Sequence, residues 1–423
     1  MRYGWVPMVW IAIVPALPAE TLQQAWDTAL HVDHRLRAAE EARAAAAEKL
    51  ESARSARLPE VTLGAGYTAL DNAPASKAHF GPTPTTFPIG EKNSLSYQAQ
   101  ASIPLYTSGR IRHGIEAADA ALGARTAEIE SKRQDIKMAV AEAYVGVLRS
   151  ASAMRVAKSH VASLRAHARD VANMYRQGMV SRNDLLSARV ALADARQEAI
   201  KAQNALDLAR AAYNRGLGRP LGQEVALDEI EPASVGMSLE ELTEKALRQR
   251  AELTALRQNM TALQRQAAGV RAEKGPQVAL SGGYTYKENA FQVHEGQWAV
   301  NLGVQWKLFD GGVIGHKAAA AERQAAASQE QIDDLVSRIT LQVRQAWLDV
   351  QETEKRIEVT RQAVAQAEEN LKVNRNRYEN GLSTNTEVLD AETLRVRSQS
   401  NHDNAVYDAV LATLRLKRAT GAL

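Results

Sequence analysis

Two short segments place carboxylates just beyond a glycine, and these residues have the clearest capacity for chemistry in the sequence. Glu387 and Asp390 follow Gly381 and lie three residues apart, so a helix would carry both acids on one face. Asp184 occupies the place after Gly178 that Glu387 occupies after Gly381. Asp390 and Glu387 are therefore the first candidates for a functional site.

A structural role competes for two of these acids. Ser181-x-x-Asp184 and Thr384-x-x-Glu387 have the spacing of a capping box, in which the acid accepts a hydrogen bond at the start of a helix. Each motif follows a glycine that can end the preceding helix. Asp184 and Glu387 could therefore serve only as caps, whereas Asp390 lies too deep in its helix for that role.

Other catalytic and metal-binding patterns are weak. The chain has no cysteine, which excludes disulfides, thiolate metal sites and cysteine nucleophiles. His31-x-x-His34 suits a solvated helix face better than a metal site, because a third ligand is missing. Gly64-x-Gly66 lacks the spacing of a phosphate-binding loop. The sequence predicts neither an enzyme nor a bound cofactor or metal.

Composition favours long helices and argues against nucleic acid as a partner. Of 423 residues, 24% are charged and only 5% are aromatic, and the net charge is +3. Such a balance provides no extended field for a polyanion, whereas abundant Ala, Glu, Gln, Arg and Leu suit coiled coils.

The N-terminus has the pattern of a secretory signal peptide, predicted for residues 1–19. Arg2 precedes an apolar run from Trp5 to Val14, and cleavage would follow Ala16 or Ala19. The alternative is an N-terminal membrane anchor, for which the run is short. No later segment is apolar enough for a membrane helix, so an exported chain that crosses a membrane must do so as strands.

The rest of the chain is duplicated. The segment Gly66-Tyr67-Thr68 recurs as Gly283-Tyr284-Thr285, and Tyr175-Arg-Gln-Gly178 recurs as Tyr378-Glu-Asn-Gly381. The predicted domains are therefore a first repeat over 20–218, a linker over 219–238 and a second repeat over 239–423. Four prolines between 71 and 93 predict a long loop in the first copy only.

Each copy contains two alternating segments that read as membrane strands. In the second copy, residues 298–308 alternate apolar and polar side chains over about ten positions, the length of a barrel strand. Trp298 and Trp306 share a face, about 19 Å apart in height, and with Tyr284 and Tyr97 they form a predicted aromatic girdle. A soluble sandwich with one buried face is the alternative.

Long helices follow the strands. Residues 111–177 and 314–380 contain no proline, and a helix of that length would reach about 100 Å. Four strands per chain cannot close into a barrel, and open edges are not tolerated in lipid. The chain must therefore oligomerise, as two, three or four copies.

The order of elements, the duplication and the paired Tyr-x-x-Gly turns resemble the TolC family of outer-membrane efflux and type I secretion channels, over residues 20–423. The resemblance implies an α+β membrane protein: four strands per protomer, a twelve-stranded barrel in a homotrimer, and a long α-helical coiled-coil barrel. It also implies a location in the outer membrane of a Gram-negative bacterium, with the tunnel extending into the periplasm.

The resemblance assigns roles to the turn residues. Asp390 and Glu387 match the carboxylates at the periplasmic constriction, and Tyr378 and Asp184 match residues that link the closed gate. Ser383 stands where the family has an arginine, so this chain departs from the family's link at that position, and Arg182 is the candidate substitute. The turns also form the predicted docking surface for the adaptor, through Gly178, Ser181, Arg182, Gly381, Ser383 and Thr384.

The predicted function is a passive exit channel for a tripartite pump or a type I secretion system. Its partners would be a periplasmic adaptor, an inner-membrane pump of the RND, ABC or MFS type, and outer-membrane lipid. The alternative is a periplasmic coiled-coil adaptor or scaffold without a pore, although such adaptors usually carry one hairpin, not two full copies.

Overall fold

The computed structural model describes residues 19–79, 83–233 and 236–423. The predicted signal peptide therefore lies outside the described residues, except for Ala19. Among the residues that are described, no helix is long and apolar enough to cross a membrane.

Both copies contain two short helices, a pair of long strands, a very long helix and a returning helix. The first copy consists of α1 (Leu22–Val32), α2 (His34–Ser55), β1 (Glu60–Ala69), β2 (Ala75–His79), β3 (Pro84–Pro88), β4 (Asn93–Tyr106), α3 (Arg110–Arg176) and α4 (Arg182–Gly216). The second consists of α5 (Leu239–Gln249), α6 (Ala251–Ala272), β5 (Gln277–Lys287), β6 (Gly296–Gln305), α7 (Val313–Glu379) and α8 (Asn385–Ala419).

The helices of the two copies have identical lengths. α1 and α5 have 11 residues, α2 and α6 have 22, α3 and α7 have 67, and α4 and α8 have 35. The duplication read from the sequence therefore extends to the length of every helix.

The first copy differs by a small hairpin where a loop was predicted. β2 and β3 pair as an antiparallel two-stranded sheet, with Pro84 and Pro88 at the ends of β3. Proline is compatible with strand ends and edge strands, because it lacks only the donor that would face a further strand. The proline count was thus a poor reason to exclude strands.

The long strands form a four-stranded antiparallel sheet in the order β1-β4-β5-β6. β5 joins the copies by pairing with β4, with Tyr284 opposite Ala99, and with β6, where Tyr284 lies opposite Trp298. The large apolar side chains on β1 and β6 are exposed, with Trp298 at 80%. β6 ends at Gln305, slightly earlier than the alternation to Leu308 had indicated.

Contacts divide the described chain into two compact units, and each copy supplies elements to both. The helical unit comprises residues 19–37, Glu130–Arg250 and Val336–Leu423. The sheet unit comprises Ala38–Ile129 and Ala251–Leu335.

Within the helical unit, Glu20 fixes the linker between the copies. Its carboxylate accepts two hydrogen bonds from Arg219, at 2.7 and 2.8 Å, and one from the Tyr213 hydroxyl at 3.0 Å. The Tyr144 hydroxyl lies 2.6 Å from the Glu20 carbonyl oxygen and 2.8 Å from that of Asp228. The pKa of Glu20 is lowered: burial opposes the shift, but the hydrogen bonds from Arg219 and Tyr213 and the charge of Arg219 outweigh it.

Candidate gate at the helix-hairpin turns

The two hairpin turns, Gln177–Ser181 between α3 and α4 and Asn380–Thr384 between α7 and α8, have the same backbone geometry. Gly178 has φ 75° and Gly381 has φ 69°. In the first turn, the Met179 N–H donates to the Met174 carbonyl at 2.9 Å, and in the second the Leu382 N–H donates to the Arg377 carbonyl at 2.8 Å. This left-handed helix ending strongly favours glycine.

Capping boxes then start both returning helices. The Ser181 hydroxyl accepts from the Asp184 N–H at 3.2 Å, and the Asp184 carboxylate accepts from the Ser181 N–H at 3.1 Å. Thr384 and Glu387 make the same reciprocal pair. Hydrogen bonds from Ser383 and Thr384 lower the pKa of Glu387. The capping role that the sequence left open for Asp184 and Glu387 is present in the structure.

The predicted constriction residues share one side of α8. Glu387 and Asp390 are exposed, whereas Val388 and Ala391 beside them are buried. Both carboxylates therefore face away from the packed core of the hairpins, which leaves them available to a channel lumen. Their role in a constriction remains a prediction.

The predicted gate links lie close together without a mutual hydrogen bond. Tyr378 is only 6% exposed, and its hydroxyl has no hydrogen-bond partner within the described part of the chain. Its pKa is raised by burial and by the charge of Asp184. The Asp184 carboxylate is occupied by Ser181, so the Tyr378–Asp184 link remains a prediction.

His167 contacts the same region and was not recognised in the sequence as part of it. Its Nε2 atom lies 2.7 Å from the Asn385 side-chain oxygen, and its ring lies 5.6 Å from that of Tyr378. Asn385 also donates to the Asp184 carbonyl at 3.3 Å, so a polar chain joins α3, α8 and α4. Burial lowers the pKa of His167, which favours the neutral form of its imidazole.

A buried carboxylate, Glu392, forms a polar cluster near the turns. Its side chain is 1% exposed and accepts from Arg395 at 2.7 Å, from Arg375 at 3.2 Å and from the Ser163 hydroxyl at 2.7 Å. Arg375 also contacts Ser163 directly. The cluster joins α3, α7 and α8, and no local sequence pattern indicates it, because Ser163 and Glu392 lie 229 positions apart.

An apolar cluster from all four long helices packs in the same region. It supports the turn residues, because Leu185 follows the first capping box and Val388 the second. Its buried members are Ala168, Val171, Leu185, Ala188, Leu371, Tyr378, Val388 and Ala391.

The predicted docking residues lie at the surface of the hairpin turns. Gly178, Ser181, Arg182, Gly381 and Thr384 are exposed, and Ser383 is half-buried. They are available to a partner, and their part in docking remains a prediction.

Three of the four predicted girdle residues lie next to one another in the sheet, and the fourth, Trp306, lies apart from them. The Tyr97 and Tyr284 rings lie 6.4 Å apart, and Tyr284 lies 5.3 Å from Trp298, so these three form a row across β4, β5 and β6. Trp306 follows the other end of β6, is exposed, and donates its indole N–H to the Lys274 carbonyl at 3.0 Å.

Duplicated helical hairpins and paired strands with an exposed apolar face define the class of α+β outer-membrane channel proteins. The chain belongs to the outer membrane efflux protein family, whose profile matches residues 25–219 and 242–422. It is a channel for efflux or secretion in the outer membrane.

Similar proteins cover almost the whole chain. The outer membrane protein TolC of Vibrio cholerae is 24% identical over 421 residues, spanning 96% of this chain and 92% of that protein. The alkaline protease secretion protein AprF of Pseudomonas aeruginosa is 25% identical over 309 residues, spanning 69% of this chain and 63% of that protein.

Solved structures show the same fold. The outer membrane protein VceC from Vibrio cholerae has a TM-score of 0.80 at 22% identity, with 95% of this chain and 96% of that chain covered. The outer-membrane channel OprN has a TM-score of 0.81 at 20% identity, with 95% and 90% covered.

Proposed function

We propose that three copies of this chain form a passive exit duct through the periplasm and the outer membrane. The observation that carries the proposal is the open four-stranded sheet, whose large apolar side chains are exposed and whose edge strands are β1 and β6. In lipid, those edges need further strands, because unpaired backbone groups there are costly. Three copies supply twelve strands, an even number large enough to close.

The pump that drives export lies outside this chain. The duct works with an inner-membrane pump and a periplasmic adaptor, in tripartite efflux or in type I secretion. The similarity to AprF, named for the secretion of an alkaline protease, supports secretion, and the family description supports efflux. The exposed residues of the hairpin turns provide the adaptor surface.

The closed gate is formed by the second hairpin of each copy. Threefold symmetry brings six carboxylates, from Glu387 and Asp390, around one lumen. A ring of this kind selects for cations. Tyr378 and Asp184 hold the ring closed through links between neighbouring hairpins, and the unpartnered buried hydroxyl of Tyr378 supports that role.

The decisive measurement is planar-bilayer conductance of the detergent-purified protein beside Glu387→Gln/Asp390→Asn. Glutamine at 387 preserves the capping box, since glutamine also serves in that motif, so the variant removes charge without removing the cap. We expect small cation-selective steps from the wild type and a reversal potential shifted toward zero in the variant.

Two outcomes oppose the proposal. An unchanged reversal potential in a variant that still conducts would remove the carboxylate ring from the gate. A protein that stays soluble and non-trimeric without detergent would contradict the exit duct itself. Glu387→Ala/Asp390→Asn, which loses the cap as well, serves as the matched comparison for structural damage.

A further inference from the structure

A cavity of about 330 Å³ lies where the strands of the sheet meet the helices. Three charged residues line it: Arg110 begins α3, Glu273 follows α6, and Lys307 follows β6. All three belong to the sheet unit, so the cavity is formed within one copy. Its volume is that of a pocket for a small ligand.

The cavity lies on the face of the sheet opposite Trp298. Gln277 and Gln305 pair across β5 and β6, and both line the cavity. Because side chains alternate along a strand, Gln305 and Trp298 lie on opposite faces of β6. In the proposed duct Trp298 faces lipid, so the cavity faces the lumen.

The luminal face of the sheet is polar but almost uncharged. It carries side chains such as Ser281 and Asn301, which pair across β5 and β6. Among the described residues of the four long strands, the charged residues on this face are Glu60 and Lys287, each at the end of its strand. The cavity therefore adds three charges to a wall that otherwise offers mainly hydroxyl and amide groups.

These three charges do not compensate one another. Within the described part of the chain, Arg110, Glu273 and Lys307 form no ion pair and no side-chain hydrogen bond. Glu273 is half-buried, whereas Arg110 and Lys307 are exposed. A half-buried carboxylate loses part of its hydration, which favours a cation that replaces the lost water. Charges of both signs are thus available to one ligand in the cavity.

The duplication indicates that the fold does not depend on these charges. At each of the three positions, the other copy has an uncharged residue in the same structural element or at the same junction. The matched pairs are Arg110 with Val313, Lys307 with Pro104, and Glu273 with Ala56. Both copies form the same helices and long strands, so the charges are free to serve a separate role.

We propose that this cavity binds a small zwitterion, a solute with an ammonium group and a carboxylate group, on its way along the lumen. Glu273 receives the ammonium group, and Arg110 and Lys307 receive the carboxylate through charge-assisted hydrogen bonds. The inference rests on the proposed duct for the access of the ligand from the lumen. The cavity itself belongs to a single copy.

The test measures binding of β-alanine to the full-length protein in detergent, by titration with saturation-transfer NMR. β-Alanine carries both charges, whereas propionate keeps only the carboxylate and ethylammonium keeps only the ammonium group. We expect β-alanine to bind at least about tenfold more tightly than either, because each of the others lacks one charge-assisted contact.

Variants separate the two halves of the cavity. Arg110→Gln or Lys307→Gln should weaken the binding of β-alanine about tenfold. Glu273→Gln should remove the preference for β-alanine over propionate, a change in selectivity that simple structural damage would not produce. The matched control is Lys287→Gln, which removes a positive charge from the same face about 33 Å away along β5 and should leave the affinity unchanged.

The outcomes distinguish the cavity from the duct. Equal affinities of the wild type for β-alanine and propionate would overturn the zwitterion and leave a plain anion site. No saturable binding to a protein that light scattering shows to be trimeric would overturn the cavity but leave the exit duct intact. Binding of β-alanine to a protein that is not trimeric would support the cavity and contradict the duct. Displacement of β-alanine by a lower concentration of short-chain phosphatidylethanolamine would overturn the passing solute and assign the cavity to a lipid headgroup.

Discussion

Glu392 is a buried carboxylate that accepts hydrogen bonds from Ser163, Arg375 and Arg395. Removing one member of a fully buried ion pair costs about 3–5 kcal/mol, and we expect less here because the Arg375 side chain is 37% exposed. We therefore expect Glu392→Ala to lower the thermal midpoint of the purified protein and to increase its leak conductance, because the cluster ties α7 and α8 to α3.

The control for Glu392→Ala is Glu387→Ala on the same helix. Glu387 is exposed and caps α8, so its loss should cost only about 1 kcal/mol, the usual contribution of a cap. Differential scanning calorimetry of both variants separates the two costs. Equal shifts in the thermal midpoint would show that Glu392 contributes no more than a cap does.

His167 makes the packing near the turns sensitive to acid. Burial lowers the pKa of His167, although Asn385 accepts a hydrogen bond from it and Asp170 and Glu392 favour its charged form, while Arg375 opposes it. The unfolded chain therefore binds a proton at a higher pH than the folded one does. Stability is complete above the unfolded pKa of about 6.5 and falls as pH drops from there through the folded pKa.

We predict that the free energy of unfolding falls as the pH drops, by up to about 1.4 kcal/mol for each pH unit between the unfolded and folded pKa values of His167. Denaturant unfolding measured between pH 7.5 and pH 5 checks it, in a His160→Gln background, because burial also lowers the pKa of His160. Adding His167→Gln, which still offers an N–H to Asn385, should flatten the pH dependence. If the free energy of unfolding depends on pH just as steeply in this variant, the dependence comes from groups other than His167.

At the scale of the elements, the hairpin turns depend on glycine for backbone reasons alone. A Cβ at Gly381 would meet nothing within 4 Å, so only its φ of 69° opposes substitution. We expect Gly381→Ala to lower the free energy of unfolding by about 1–2 kcal/mol, which is the penalty of a left-handed conformation for an L residue. Gly381→Asn should lower it by less, because asparagine adopts this conformation more readily.

Gly146 provides the matched comparison. It lies inside α3, where an added Cβ also meets nothing within 4 Å, and Gly146→Ala should stabilise by about 0.5–1 kcal/mol because alanine favours helices. Opposite shifts in the thermal midpoint of the two alanine variants would confirm the backbone argument. A loss of stability at both positions would point to a neighbouring copy that fills the space.

The elements themselves were largely accessible from the sequence. Proline-free stretches over 111–177 and 314–380 located α3 and α7 to within one residue, and period-two alternation located the four long strands. Local patterns suffice there because helix and strand periodicity are properties of neighbouring residues. The same holds for the capping boxes, whose partners lie three residues apart.

What the sequence did not reveal depends on contacts between distant residues. Glu392 meets Ser163 across 229 positions, and Arg219 meets Glu20 across 199, so no local spacing announces either cluster. The break at Asp33 between α1 and α2 was also missed, although Arg250 repeats it between α5 and α6. Which helix faces meet is settled by tertiary packing, which a single sequence encodes only indirectly.

At the scale of the whole molecule, the exposed apolar surface of the sheet differs from the exposed faces of the long helices. Exposed apolar side chains on the long helices, such as Ile200 on α4 and Val359 on α7, lie among charged residues. The face of the sheet that carries Trp298 is continuous across strands and lacks such interruptions on β6, as expected of contact with lipid. The proposed duct therefore places this face of the sheet against the membrane.

That distinction predicts how the tryptophans report on lipid. The experiment uses protein lacking residues 1–19, which contain Trp5 and Trp10, so that Trp26→Phe/Trp347→Phe leaves only Trp298 and Trp306. In proteoliposomes of this variant, the fluorescence should be quenched by brominated lipids. The quenching should be strongest for bromines near the headgroups, because aromatic side chains of membrane barrels gather at the two interfaces. The reciprocal Trp298→Phe/Trp306→Phe variant retains Trp26, whose indole donates to the Lys137 carbonyl at 2.8 Å within the helical unit, and should not be quenched. Equal quenching of the two variants would contradict the assignment of the sheet to the membrane. Quenching only by bromines in the middle of the acyl chains would keep the sheet in lipid but would show that Trp298 and Trp306 do not belong to the girdle.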